Sequence, residues 1–102
     1  MTFNLCDEII KEMRNLQFNE SNIDLLKNSP RFIDAYDKEH VLQKTMLTMI
    51  FHNLLLNGKT IVPSNIRLSL NIATSVFGWL EDIKLVILPF LRLNEDKFFP
   101  NS

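Results

Sequence analysis

Glycine is almost missing from this chain: 102 residues contain two, alongside four prolines. A β-sandwich needs a tight turn roughly every 8–12 residues, so the shortage argues against an all-β design and for long helices. It also removes the loops that cradle phosphates, and neither a G-x-G-x-x-G nor a P-loop pattern occurs. Cysteine is scarcer still. A lone Cys6 cannot form an intramolecular disulfide, and the cytoplasm is the expected compartment. The opening MTFNLCDEII has no basic stretch followed by a continuous apolar run, so no secretory signal is expected. The longest apolar tract, VFGWLEDIKLVILPFLRL, is interrupted by Glu81, Asp82, Lys84 and Arg92, which speaks against a membrane span.

The third shortage is local. Residues 1–40 hold eight acids and five bases, whereas residues 40–80 hold no acid at all and only Lys44, Lys59 and Arg67 as bases. A domain of this size has limited interior, so a long uncharged stretch implies apolar surface covered either by the chain itself or by another chain. What remains is ordinary globular composition, 46% apolar and 23% charged with a net charge of −1, which fits one folded domain over residues 1–102. Its expected parts are amphipathic N-terminal helices over 1–40, an apolar helical core over 41–93 and a frayed tail over 94–102.

Local signals place the helices. Asn4 is a candidate cap, with Asp7 and Glu8 in the first turn and Leu5, Ile9, Met13 and Leu16 on one face to about Gln17. Ser21 is the next candidate cap, with Asp24 as a weak capping-box partner. Ser29-Pro30 opens a third helix with Phe32, Ile33 and Tyr36 as its apolar contacts. From Val41 to Leu56 nothing breaks a helix, and apolar residues occupy two faces: Leu42, Met46, Met49 and Ile50 on one, Leu47, Phe51, Leu54 and Leu55 on the other.

The stretch NLLLNGKTIVP, residues 53–63, decides the class. Asn57-Gly58 between apolar runs can make a two-residue hairpin, but the leucines before it are good helix formers, and the β-rich flank after it is three residues cut off by Pro63. Gly58 is therefore read as the left-handed end of the central helix. Ile66, Leu70, Ala73, Phe77 and Leu80 continue as a helical stripe, with a strand over 65–72 as the alternative, and a last helix beyond Gly78 kinks or stops before Pro89. The expected fold is all-α, a small bundle of four to five helices with a central buried helix pair.

Catalytic chemistry finds little support. Asp37 and His40 are one helical turn apart and His52 follows, but a metal site needs a third or fourth ligand that no spacing supplies, so no metal is expected. Cys6 with a histidine could be nucleophile and base, yet a lone helical cysteine more often packs as a small hydrophobe. Adjacent acids such as Asp7-Glu8 and Glu81-Asp82 do not face each other across a substrate. A helix, short loop and helix around residue 60 has the order of a helix-turn-helix unit, but Lys59 and Arg67 are too few for phosphate contacts and the pI is about 6.1, so direct nucleic acid binding is not expected. No enzyme activity, cofactor or small-molecule substrate is expected.

Residues 53–70, NLLLNGKTIVPSNIRLSL, resemble the central segment of the YmgB/AriR family of small enterobacterial regulators linked to biofilm development and acid resistance. Asn53, Leu54, Leu56, Gly58, Asn65, Ile66, Leu68, Ser69 and Leu70 match in order and spacing. Thr74 and Ser75 depart from the family's leucine and acid, and the N-terminal 40 residues have no counterpart. The resemblance implies an all-helical dimer that acts as a connector, regulating a bacterial stress or biofilm pathway by protein contact. Together with the acid-free middle, it makes Phe51, Leu54, Leu55, Ile66 and Leu70 the candidate interface residues, with a second copy and a regulatory protein as partners. The alternative is an inhibitor, an immunity protein or a secretion chaperone that meets a toxin, enzyme or effector through Asp24, Asp34, Asp37 and Glu39.

Overall fold

A computed structural model describes residues 3–57, 61–71 and 76–99. Every regular element among them is helical: α1 (Leu5–Asn15), α2 (Glu20–Lys27), α3 (Pro30–Tyr36), α4 (His40–Asn57), α5 (Ser64–Asn71), α6 (Val76–Asp82), a π-helical segment (Ile83–Ile87), α7 (Leu88–Leu93) and α8 (Glu95–Phe98). The all-α expectation holds, and the strand alternative for residues 65–72 gives way to a helix over Ser64–Asn71. These helical segments outnumber the four to five expected, because α2, α3 and α8 are short separate segments and because the last helix changes pitch. The expected left-handed turn at Gly58 lies outside the described residues.

The starts of α1 and α3 follow from their caps. Asn4 Oδ1 accepts from the Cys6 and Asp7 amides at 2.9 and 3.3 Å, and Ser29 Oγ accepts from the Phe32 amide at 3.2 Å ahead of Pro30. α1 ends two residues before the expected Gln17. There the Phe18 amide bonds the Met13 carbonyl and the Gln17 amide bonds that of Arg14, a Schellman turn that needs a left-handed residue. Gln17 takes that role at φ 62°, a conformation that is costly with a Cβ, offset here by burying Phe18 beside Met13. Ser21 is not a cap. The cap position lies two residues earlier at Asn19, whose side chain makes no capping bond, while its amide is taken from afar by Glu95 Oε1 at 2.9 Å.

The last helix does not stop before Pro89, which lies inside α7. Pro89 cannot donate to the carbonyl one turn before it, and the preceding turn widens: the Leu88 amide bonds the Ile83 carbonyl five residues back. That π turn carries the helix across Pro89 to Leu93 with Trp79, Leu80, Ile83, Ile87, Leu88 and Leu91 buried. Within the expected tail, α8 buries Phe98, and Phe99 after it is edge-on to Phe18 at 6.3 Å.

One apolar cluster gathers Leu5, Ile9 and Met13 of α1, Leu47 and Phe51 of α4 and the C-terminal run together. Residues 1–40 thus supply core, and burying four large α1 side chains contributes a gross 6–12 kcal/mol or so before ordering costs. Neither helix of the expected central pair is buried all round, since α4 leaves Leu42, Met49 and Leu56 exposed and α5 leaves Leu68 exposed.

Gln43, 1% exposed on α4, joins three elements. Its Oε1 accepts from the Leu5 amide at 2.9 Å, and its Nε2 donates to the Tyr36 carbonyl at 2.9 Å. One side chain thereby satisfies a first-turn donor of α1 and a last-turn acceptor of α3, groups that a helix cannot pair internally. Asn4 Nδ2 also donates to Tyr36 O at 3.0 Å, and the His40 ring donates from Nε2 to the Phe3 carbonyl. Gln43→Leu keeps the volume but strands the Leu5 amide in the core. It is expected to cost about 2–4 kcal/mol in urea denaturation, whereas exposed Val41→Ala on the same helix stays within about 0.5 kcal/mol.

Candidate interaction surfaces

α4 is apolar around its whole circumference, so its sequence alone does not say which face turns inward. The structure buries Gln43, Leu47, Ile50, Phe51 and Leu55. Half a turn away, exposed Leu42, Thr45, Met49, His52 and Leu56 recur at alternating three- and four-residue steps, the spacing of a coiled-coil seam. Leu42, Met49 and Leu56 are 46%, 49% and 62% exposed.

The expected interface residues do not lie on this face. Phe51, Leu55, Ile66 and Leu70 are core residues of their own chain, and Leu54 is half-buried against that core. α1, an N-terminal element expected outside the apolar core, packs against the Leu47/Phe51 face, and among the described residues the Leu42/Met49/Leu56 face stays exposed. Thr48 fixes the rotation of α4 from one flank: its Oγ1 donates to the Lys44 carbonyl and accepts from Trp79 Nε1, each at 2.7 Å. Of the large exposed apolar residues, Val41, Leu42, Met49, Leu56, Ile61, Leu68 and Phe77 all fall in the acid-free stretch.

Two concave surfaces flank these elements. A cleft of about 580 Å³ between α1 and α3 has an apolar floor of Ile10, Phe32 and Ile33, with Asp7 and Asp37 as its acids and Lys11, Arg14 and Lys27 as its bases. A trough of about 780 Å³ runs beside the second half of α4, where Leu54 forms part of its wall. The acids of the alternative reading, Asp24, Asp34, Asp37 and Glu39, are exposed. They do not make a field of one sign, because Asp34 pairs with Lys38 at 3.4 Å and Asp37 shares its cleft with three bases.

The residues weighed for catalysis are not brought together. His40 lies edge-on against Phe3, with ring centres 5.5 Å apart, and His52 is exposed on the seam. Among the described residues no group of three or more His, Cys, Asp or Glu side chains could hold a metal ion, and no helix is long and apolar enough to cross a membrane. Cys6 is fully buried, and its thiol is pushed up from 9.0 to about 11, first by burial and then by the Asp7 charge. A thiol held protonated and out of reach is a poor nucleophile. Tyr36 donates to Asp7 Oδ2 at 3.2 Å, and that bond, followed by the Asp7 charge, raises the phenol above its usual range.

Comparison with protein-family models, curated proteins and solved structures found no match.

The buried thiol sets a pH test. Because the folded pKa is raised, the native state keeps a proton that the unfolded chain releases, so Cys6 costs no stability below pH 9.0 and progressively more as the pH rises toward about 11. Between roughly pH 8.5 and pH 11, wild type should lose about 2–3 kcal/mol more than Cys6→Ala in chemical denaturation. Tyr36 is present in both chains, and the Cys6 charge is a lesser cause of its raised phenol, behind the Asp7 bond, the Asp7 charge and burial.

Proposed function

We propose that this protein is a non-enzymatic regulatory connector that works through protein contacts: a cytoplasmic homodimer built on the outer face of α4, which also engages a regulatory target. The observation that carries the reading is the Leu42/Met49/Leu56 seam, an apolar face set opposite the buried face of its own helix. Scattered exposed apolar residues need no explanation, but a regular stripe at coiled-coil spacing does. With Lys44 as the single charged residue of α4, two copies can meet there without facing rows of like charge. Antiparallel pairing about Met49 sets Leu42 of one copy opposite Leu56 of the other along a helix of about 27 Å. The likeness of residues 53–70 to the YmgB/AriR family supports a bacterial stress or biofilm setting for such a connector.

Met49→Glu and Leu56→Glu test this without touching the core, since both positions face solvent in a single chain. Sedimentation at micromolar concentration should give a dimer for wild type and a monomer for the double variant. The variant's thermal stability as a monomer should stay within about 1 kcal/mol of that of isolated wild-type chains. A wild-type chain that remains monomeric to roughly millimolar concentration would refute dimerisation, since that corresponds to less than about 4 kcal/mol of association energy.

A further inference from the structure

The trough beside α4 has a built shape that the dimer seam does not use. Ile50, Asn53, Leu54 and Asn57 fall at i, i+3, i+4 and i+7 on one flank of α4 and line a trough of about 780 Å³. Leu25 and Leu26 of α2 also line it, as do Phe98 and Phe99 at the C-terminal end of the fold. Leu26, Phe98 and Phe99 are buried, but Leu25 is 54% exposed and Asn53 and Asn57 are open to solvent. Such a half-open apolar surface suits an occupant that has a wet side of its own. An acyl chain would gain little here, because small apolar ligands bind where most of their surface is enclosed.

Length and charge narrow the occupant further. Seven residue steps along α4 amount to about 10 Å, two turns of an incoming helix. Arg31 and Lys97 line the same trough and have no ion-pair partner among the described residues. Asp96 is its one acid, so the lining carries a net positive charge. We propose that the trough receives two turns of an acidic amphipathic helix from a partner protein, its apolar residues covering Leu25 and Leu54 and its carboxylates facing Arg31 and Lys97. The inference rests on the connector reading and names the chemistry of the target; it does not depend on the α4 seam.

The test uses the full chain and a fluorescein-labelled 18-residue peptide with leucines at i, i+3, i+4 and i+7, glutamates flanking them and alanines elsewhere. A sister peptide carries lysine in place of each glutamate. Fluorescence anisotropy should show saturable one-to-one binding of the glutamate peptide, at least about tenfold tighter than the lysine peptide. Leu25→Glu, with unchanged helical circular dichroism, should weaken it at least about tenfold, and the double variant Arg31→Glu/Lys97→Glu should reverse the preference between the peptides. The monomeric Met49→Glu/Leu56→Glu chain should bind as wild type does, which separates failure of the trough from failure of the dimer. Absence of saturable binding, equal affinity for the two peptides, or indifference to Leu25→Glu would overturn the proposal. Stoichiometric displacement of the peptide by dodecanoate would overturn it too, in favour of a lipid site.

Discussion

A single carboxamide connects helix ends that the chain keeps far apart. Gln43 Oε1 takes the amide of Leu5, 38 residues away, while Nε2 holds the carbonyl of Tyr36. The Leu5 bond lies where water is excluded and the Tyr36 bond is part-buried; an amide left unpaired in the core costs about 1–3 kcal/mol. The start of α1 can therefore enter the core only with α4 turned so that Gln43 points inward, and the same side chain ties the end of α3 to it. That rotation in turn sends Leu47 and Phe51 into the core and leaves Leu42, Met49 and Leu56 outside.

The other end of α1 is held by a second polar contact. Arg92 Nε donates to the Leu16 carbonyl at 3.2 Å and its Nη1 lies 3.3 Å from Glu95, whose other oxygen accepts from the Asn19 amide and the Asn22 side chain. Halfway along, Lys84 pairs with Glu8 at 3.2 Å. These contacts require the last helix to run uninterrupted past Pro89, which the π turn allows. Asn22 Oδ1 stays buried without a hydrogen-bond partner among the described residues, a local cost carried by the surrounding packing.

The sequence reveals what is decided locally. Asn4 and Ser29-Pro30 act as caps because a side chain and an amide two or three residues on suffice to make the interaction, and the breaker-free run into α4 is equally self-contained. Ser21 misleads because the amide at the start of α2 is satisfied by Glu95, 76 residues away. The tail reads as frayed because Phe98 and Phe99 gain burial only after α2 and α4 are in place. The faces of α4 are ambiguous for a plain reason: a helix apolar all round has no preferred side. One signal was present, since Gln43 sits one turn before Leu47 and Phe51 and marks their face as the one that would need a buried polar partner.

The outer seam and the trough are consequences of the same rotation of α4, so the functional reading depends on Gln43 holding it. Hydrogen exchange at the Leu5 amide tests this most directly. First-turn amides close to a chain end ordinarily exchange fast, having no intrahelical acceptor. The account predicts that Leu5 exchanges only through global unfolding, as slowly as the Phe51 amide in the middle of α4. Exchange at the rate of an exposed amide would mean that Gln43 does not hold α1, and the choice of inner and outer faces would lose its cause.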